Sequence, residues 1–406
     1  MLIKKERSVK ANKSTFRKVS EWLHLWIGLF SGIIVFVVCL TGGIWVWRYE
    51  VWHFTERYQQ VAPQKASFLV PSRLIARTGQ YLSEKSGKAV NAQSITYGKV
   101  NRAAYLSFKL GKDGGALVYV NPYTGEKLKD KREPSPSEKF FIFIRAGHRF
   151  FWLPQKIGSP IVGAACILFL ITLITGFIWW YPSKWNKKAR EKSFKIKWGA
   201  KWKRLNIDLH NVLGFYSLLV VMALTISGVV FTFEWFEKAV YSTLTWKQQP
   251  AATAETPLSD TLTVGLPKLN HPEDMIFHKI NSLYPNGFAR LFIGFPERPA
   301  DTYETYVGFG DGTLIYNMDF RYFDQGSLKE LSGTTERTKP YKNLSLGEKI
   351  FRMNFDIHTG QIIGLPSKIL AFFACIIGAG LPVTGFIIWY NRKWGKKKKN
   401  RKIVIL

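Results

Sequence analysis

Cysteine and acidic residues are both scarce in this sequence. Its 406 residues include three cysteines, Cys39, Cys166 and Cys375, each inside an apolar stretch. This number and spacing argue against a disulfide framework or a thiolate zinc site, so we expect small apolar fillers. A phosphate-binding glycine loop and a nucleotide fingerprint are also missing, which argues against an NAD(P)H site within the chain.

Acidic residues number 28 against 58 Lys and Arg, and the formal net charge is +30. Much of this excess lies in three short segments: residues 1–20 hold seven Lys and Arg, residues 182–206 hold ten and residues 391–406 hold eight. Each segment flanks an apolar stretch, where the positive-inside rule places cytoplasmic charge. We therefore expect both termini in the cytoplasm and contact with membrane lipid, and no nucleic acid partner.

Four apolar stretches are long enough to cross a membrane. Residues 23–47 contain no charged residue, and as a helix they would be about 37 Å long. A hydrocarbon core is about 30 Å thick, and the apolar region of a secretory signal is much shorter, so this stretch predicts a retained span. Further spans are predicted within 157–181, 209–233 and the block that ends near 391.

The third span repeats the first. His24 and His210 each belong to a Leu-His-x-x-x-Gly motif, and a hydroxyl-Gly pair follows at 17 and 18 residues after each histidine. The pairs in the four spans are Thr41-Gly42, Thr175-Gly176, Ser227-Gly228 and Thr384-Gly385. The sequence therefore predicts an internal duplication, in which a span, an α+β unit and a second span occur twice.

Two polar regions between the spans are long enough to fold. In the first, residues 71–86 predict a helix, and the turn chemistry of residues 121–125 predicts a turn after the last strand. In the second, Pro272 suits the first position of a helix that ends near residue 283. The predicted strands are 93–97, 103–110 and 116–120 in the first region, and 289–295, 302–308 and 313–320 in the second.

Together these patterns predict an all-α four-helix transmembrane bundle with two periplasmic α+β domains, internally duplicated. The expected divisions are a basic arm at 1–21, spans at 22–48 and 207–234, interfacial segments with spans at 137–181 and 348–391, α+β domains at 49–136 and 235–347, a basic loop at 182–206 and a basic tail at 392–406.

Four of the seven histidines occupy repeated positions. His24 and His210 stand at the cytoplasmic starts of spans one and three, and His148 and His358 stand just before the outer starts of spans two and four. A ligating group at membrane depth is costly and indicates function. Two neutral imidazoles from facing helices form an axial ligand set for haem, so we expect one haem-binding pair at each membrane face.

Other interpretations of these residues stay open. Each histidine alone could be an interfacial polar residue, and His53 could replace a member of the outer pair. Arg145 and Arg149 could pair with haem propionates or with lipid headgroups. Zinc or copper fits less well, because no carboxylate, thiolate or third histidine accompanies either pair. We expect His271 and His278 at the solvated surface.

Several motifs resemble those of the PepSY-associated transmembrane proteins. They are His24-x-x-x-Gly28 with Thr41-Gly42, His148-Arg149 with Thr175-Gly176 and Trp179, and residues 355–366 with residues 382–385. Residues 118–126 resemble the closing strand and turn of a PepSY domain, with Asn121 where the family often has Asp. The resemblance covers nearly the whole chain and identifies the two α+β domains as PepSY-like.

Characterised members of this family are inner-membrane, haem-containing reductases that act on ferric siderophores in the periplasm. The resemblance therefore implies an oxidoreductase of iron uptake with two haem b groups, whose matching ligand positions are His24, His210, His148 and His358. It leaves the electron donor open between a quinol and a cytoplasmic flavoprotein. The alternative is a membrane-anchored PepSY regulatory or peptidase-inhibitory module without redox activity. A transporter is a third hypothesis, against which the apolar mid-span residues argue.

Overall fold

The computed structural model describes residues 14–87, 89–110, 114–182, 184–248, 256–261, 269–333 and 338–395. The described chain forms two compact units. The first contains the described residues up to 45, residues 143–233 and those from 369 onward, and the second contains the described residues of 46–142 and 234–368. Most of the predicted basic arm and tail lies outside the described residues.

The helices and strands are as follows. The helices are α1 (Thr15–Trp45), α2 (Arg48–Thr55), α3 (Pro71–Ser86), α4 (Pro136–Phe150), α5 (Gln155–Trp180), α6 (Lys187–Phe194), α7 (Trp202–Asp208), α8 (Gly214–Val230), α9 (Glu234–Thr245), α10 (Pro272–Leu283), α11 (Leu346–Arg352), α12 (Asn354–His358) and α13 (Leu365–Lys393). The strands are β1 (Asn91–Tyr97), β2 (Ala104–Lys109), β3 (Gly115–Val120), β4 (Lys127–Lys131), β5 (Arg290–Gly294), β6 (Tyr303–Gly308), β7 (Asp319–Phe323) and β8 (Glu330–Leu331).

Four long helices dominate the first unit. The helices α1, α5, α13 and the continuous segment Trp202–Val230 are each long and apolar enough to cross a membrane, which confirms the four predicted spans. They meet in an apolar cluster that includes Val35, Phe169, Val221 and Ala374. The helix α1 begins at Thr15, before the span predicted from residue 22.

The third span contains a π-helical turn, Leu209–Leu213, between α7 and α8. No sequence pattern predicted this turn. It contains His210, the histidine that repeats the position of His24. A π-helical turn places one extra residue in the helix and is frequent at functional sites.

The second unit contains one eight-stranded antiparallel sheet with the order β4-β3-β2-β1-β5-β6-β7-β8. The central pair is β1 and β5, in which Ile95 stands opposite Ile293. The sequence predicted two separate α+β units, and the structure differs because the strands of both regions share a single sheet. Pairing β1 with β5 removes an unpaired edge from each half.

The helices α3 and α10 share the apolar core of this sheet. Leu74 and Leu82 of α3 and Ile276 and Ile280 of α10 are buried in the same cluster as the inward side chains of the strands. Full burial of such a side chain contributes about 1.5–3 kcal/mol. Both helices begin at a proline and span the residues predicted from the sequence, 71–86 and 272–283.

One predicted strand is misplaced. Residues 313–320 were expected to pair, whereas β7 covers Asp319–Phe323. The backbone N–H groups of Ile315 and Tyr316 donate instead to the carboxylate of Asp356, with the shortest N···O distance at 2.8 Å. The loop that contains these two residues is therefore held against α12, and the chain joins the sheet only at Asp319. The strands β4 and β8 were not predicted at all.

Candidate functional site

His24 and His210 lie next to each other in the helical unit. Their ring centres are 6.1 Å apart and their planes make an angle of 81°. Both side chains are half-buried. Metal–imidazole bonds of about 2 Å hold two rings on one metal atom with their centres roughly 6 Å apart. The spacing therefore allows both histidines to ligate the same metal atom.

The Nδ1 atoms of His24 and His148 face backbone carbonyl groups of a neighbouring helix. The distance from His24 Nδ1 to the oxygen of Thr172 is 3.0 Å, and that from His148 Nδ1 to the oxygen of Val38 is 2.9 Å. A carbonyl oxygen only accepts, so Nδ1 must carry the hydrogen in each ring. The lone pair of a neutral ring is then on Nε2, which is the arrangement of a metal-ligating histidine.

The ring of His210 is held in a similar way by the end of α13. Its Nδ1 lies 2.9 Å from Thr384 Oγ1. That hydroxyl donates to the carbonyl oxygen of Gly380 at 2.8 Å, so it is free to accept a hydrogen bond from His210. The Nε2 atom of His210 therefore also retains its lone pair.

A glycine of a neighbouring helix lies against each of these three rings. A Cβ atom on the glycine would stand 2.8 Å from the ring in the pair Gly176 and His24, 3.0 Å in Gly42 and His148, and 3.3 Å in Gly385 and His210. All three glycines belong to the Thr-Gly pairs identified in the sequence. These pairs therefore serve as the surfaces on which the imidazoles rest.

Aromatic and basic side chains complete the surroundings of His24 and His210. The ring centre of Trp179 is 5.4 Å from that of His24. The guanidinium carbon of Arg392 is 5.4 Å from the Trp179 ring centre. The indole therefore connects the histidine pair with the basic end of α13.

His148 occupies the last turn of α4, where the chain reverses towards α5. Phe151 and Trp152 have φ of 54° and 56°, and Trp152 Nε1 donates to the carbonyl oxygen of Phe143 at 2.9 Å. Arg145 and Arg149 are exposed, and no ion pair to either is present within the described residues. Partial desolvation of its guanidinium, together with the charge of the neighbouring Arg145, lowers the pKa of Arg149. An anion beside these arginines would be stabilised.

His358 belongs to the other compact unit, where it ends α12 and is half-buried. Two residues earlier, Asp356 is fully buried and accepts the backbone hydrogen bonds of residues 315 and 316. Burial raises the pKa of Asp356, although these donors act in the opposite direction. The carboxylate thereby fixes the short helix that carries His358.

The remaining histidines are exposed. His53 Nδ1 lies 3.3 Å from the amide nitrogen of Gln60, which can only donate. The neutral ring of His53 therefore carries its hydrogen on Nε2, the opposite of the other three rings, and fits the ligand role predicted as an alternative less well. His271 and His278 are at the surface, as expected.

The three cysteines are free thiols in the helical unit, and each is half-buried. Cys39 Sγ would lie 3.0 Å from a Cβ on Gly378, so the thiol fills the space between α1 and α13. Within the part of the chain that the structure describes, no group of three or more His, Cys, Asp or Glu side chains could hold a metal ion.

The sequence matches the family model of the PepSY-associated TM region over residues 21–392. The match includes all four apolar helices and the sheet. The chain belongs to the PepSY-associated transmembrane family. This confirms the resemblance seen in the sequence, and with the four apolar helices it makes this PepSY-associated protein a multi-pass membrane protein. Comparison with curated proteins gives no match.

Proposed function

We propose that this protein binds two haem b groups and transfers electrons across the bacterial inner membrane to a ferric siderophore in the periplasm. Both termini are cytoplasmic in this proposal, so His24 and His210 serve the inner face, and His148 and His358 are the ligands of the second haem. Bound haem would supply one-electron redox chemistry. Reduction suits iron release, because the hard oxygen ligands of a siderophore hold Fe(II) less strongly than Fe(III).

The observation that carries the proposal is the arrangement of His24 and His210. Their ring centres are 6.1 Å apart, and each Nδ1 faces an acceptor, which leaves both Nε2 atoms able to ligate. Zinc would require further protein ligands, and no cluster of three candidate ligands exists within the described residues. Haem fits this donor set, since its own four nitrogens complete the coordination of iron and only two protein ligands are needed.

Support for the second haem comes from His148 and from the sequence register. The ring of His148 has the same surroundings as that of His24, namely a carbonyl at Nδ1 and a glycine of a Thr-Gly pair beneath Cε1. Arg145 and Arg149 are exposed cations suited to propionates. His358 enters the proposal by its repeated position in the sequence.

Two features support the proposed duplication. The strand order is symmetric about β1 and β5, and each half of the sheet follows a helix that begins at a proline. The contact between His24 and Gly176 in the first half has its counterpart in that between His210 and Gly385 in the second. A duplicated scaffold explains why two halves with different sequences hold their histidines alike.

The test is the haem content and activity of the purified protein, produced with excess haem. Wild type should show a b-type spectrum with about two haems per chain, and His24→Ala or His210→Ala should remove about half of the haem. In nanodiscs, chemically reduced wild type should be reoxidised by a ferric siderophore, and a ferrozine trap should detect Fe(II).

His271→Ala is the matched control, because His271 is exposed and lies outside the helical unit. Its haem content should equal that of wild type. Wild-type protein that carries no haem under these conditions would contradict the proposal and favour the regulatory module. A haem protein that ignores every ferric chelate but reduces another acceptor would contradict only the siderophore assignment.

A further inference from the structure

The threonines of three Thr-Gly pairs make the same hydrogen bond inside their own helices. In Thr41, Thr175 and Thr384 the hydroxyl donates to the carbonyl oxygen four residues earlier, at 2.6, 2.8 and 2.8 Å. Each hydroxyl has one hydrogen, so this bond uses it and leaves the oxygen able to accept. A histidine ring lies against the glycine that follows each of these threonines. Each threonine therefore has an acceptor close to an imidazole.

The three rings differ in the acceptor that their Nδ1 atoms face. In His24 and His148 it is the backbone carbonyl three residues before the threonine, at 3.0 and 2.9 Å. In His210 it is the hydroxyl of Thr384 itself, at 2.9 Å. The corresponding carbonyl of the fourth span, that of Leu381, is a second acceptor near His210. A hydroxyl can be removed by substitution and a backbone carbonyl cannot, so the two acceptors of His210 can be told apart.

Thr384 is bound to the third span by a second hydrogen bond. Asn206 is buried, with 1% of the residue exposed, and its Nδ2 donates to the backbone carbonyl of Thr384 at 3.0 Å. Asn206 lies in α7, and His210 follows four residues later in the π-helical turn. One short segment of the third span therefore binds both the carbonyl and the hydroxyl of Thr384. These two bonds fix the hydroxyl relative to the ring of His210.

We propose that Thr384 is the positioning residue of His210 and that its hydroxyl sets the reduction potential of the haem bound at the inner face. This role rests on the proposed function, in which His210 is a ligand of that haem. An acceptor at Nδ1 fixes the tautomer of a ligating histidine and raises the basicity of its Nε2. A more basic ligand stabilises Fe(III) relative to Fe(II), so the hydroxyl lowers the potential.

The first measurement is the tautomer of His210 in the haem-free, full-length protein. Solid-state NMR of ¹⁵N-histidine-labelled protein in nanodiscs, at mildly alkaline pH, should show the Nδ1–H form in the signal that His210→Ala removes. Thr384→Val has nearly the same volume but no hydroxyl, and should lower the ratio of the Nδ1–H form to the Nε2–H form roughly threefold to tenfold. Thr384→Ser should restore it, since serine in a span also donates to the carbonyl four residues earlier, as Ser31 does at 2.9 Å.

The second measurement is a spectroscopic redox titration of the haem-loaded protein. Thr384→Val should raise the potential of one haem component by about tenfold in the one-electron equilibrium, or ~59 mV, with haem content unchanged. Thr384→Ser should return it to the wild-type value. Thr225→Val is the matched control, because the hydroxyl of Thr225 makes the same bond within α8, at 2.7 Å, about 22 Å of helix beyond His210. It should leave both the tautomer of His210 and this component as in wild type.

The outcomes separate this proposal from the proposed function. Wild type that carries haem, together with a Thr384→Val variant of unchanged tautomer and potential, overturns the role of Thr384 alone and assigns the ring to the carbonyl of Leu381. Wild type without haem contradicts the proposed function, whereas the NMR measurement still supports or overturns the hydrogen bond. Changes in Thr384→Val that Thr384→Ser does not reverse would also overturn the role, because they would follow the shape of the side chain and not its hydroxyl.

Discussion

At the scale of single residues, three imidazole rings approach a neighbouring helix so closely that a Cβ on the glycine beneath each would stand 2.8–3.3 Å from the ring. The sequence identifies these glycines as members of the repeated Thr-Gly pairs. It could not predict which ring meets which glycine. That assignment requires α1 and α5 to be antiparallel neighbours, so that His24 meets Gly176 at the far end of the other span.

Gly176→Ala should therefore destabilise the protein. The new Cβ would stand 2.8 Å from Cε1 of His24, whose ring is held by the carbonyl of Thr172, so ring or helix must shift. Overpacking of this kind costs about 1–3 kcal/mol. The measurement is the midpoint of thermal unfolding in detergent, together with the haem content, and both should fall.

Gly380→Ala provides the control within a span, because no heavy atom lies within 4 Å of a Cβ at that position. Alanine also has the higher helix propensity, so this variant should be as stable as wild type or more so. If both variants unfold at the same temperature, the contact between His24 and Gly176 does not have the importance assigned to it.

At the scale of elements, the turns that close the two halves of the sheet share one backbone geometry and differ in sequence. Gly125 N donates to the carbonyl of Asn121 at 2.8 Å with φ of 74°. Leu328 N donates to the carbonyl of Asp324 at 3.0 Å with φ of 52°. The first turn was predictable from its glycine, and the second was not, because leucine rarely adopts a positive φ.

Gly125→Ala should lower stability more than Gly87→Ala does. Both glycines have a positive φ, which costs another residue about 1–2 kcal/mol. A Cβ at Gly87 has nothing within 4 Å, whereas one at Gly125 would lie 3.0 Å from Cδ of Arg77, which donates to the carbonyl of Thr124. Thermal unfolding of the two variants measures the difference, and equal midpoints would refute the role of Arg77.

The remaining elements could be predicted where neighbouring residues in the sequence determine them, and could not where distant residues do. The helices α3 and α10 begin at prolines and have apolar side chains on one face, so their bounds were correct. The strand β4 has the sequence KLKDK and lacks an apolar signal, because it is an edge strand. The predicted position of β7 was wrong because Asp356, which lies far along the chain, binds the loop before this strand. Neither the π-helical turn nor the β1–β5 pairing has a local signal.

At the scale of the whole molecule, the distribution of charge predicts the orientation in the membrane. With four spans and basic segments at both ends and in the loop at 182–206, both sheet-forming regions should be periplasmic. Reporter fusions after Val61 and after Trp246 should register as periplasmic. A fusion after Trp185, within the basic loop, should register as cytoplasmic, and the same signal from all three would rule out this topology.

The candidate site could be predicted only in part from the sequence. The repeated positions of His24 and His210 predicted that they act together, and the structure brings their rings to 6.1 Å. The hydrogen bond from Asn206 to the carbonyl of Thr384, the residue whose hydroxyl holds His210, was not foreseen, because Asn206 belongs to a basic segment that looks like solvated, lipid-contacting sequence.

The shared sheet has a consequence for how the chain is made. The strand that covers the free edge of β1 begins at Arg290, far beyond the end of β1 at Tyr97, and two spans lie between them. Translation at about 5–20 residues per second separates the two strands by roughly 10–40 s. During this interval the amino-terminal half-sheet has an unpaired edge, whereas its other edge is protected by the lysines of β4. The yield of folded protein should therefore depend on what shields β1 while the ribosome completes the chain.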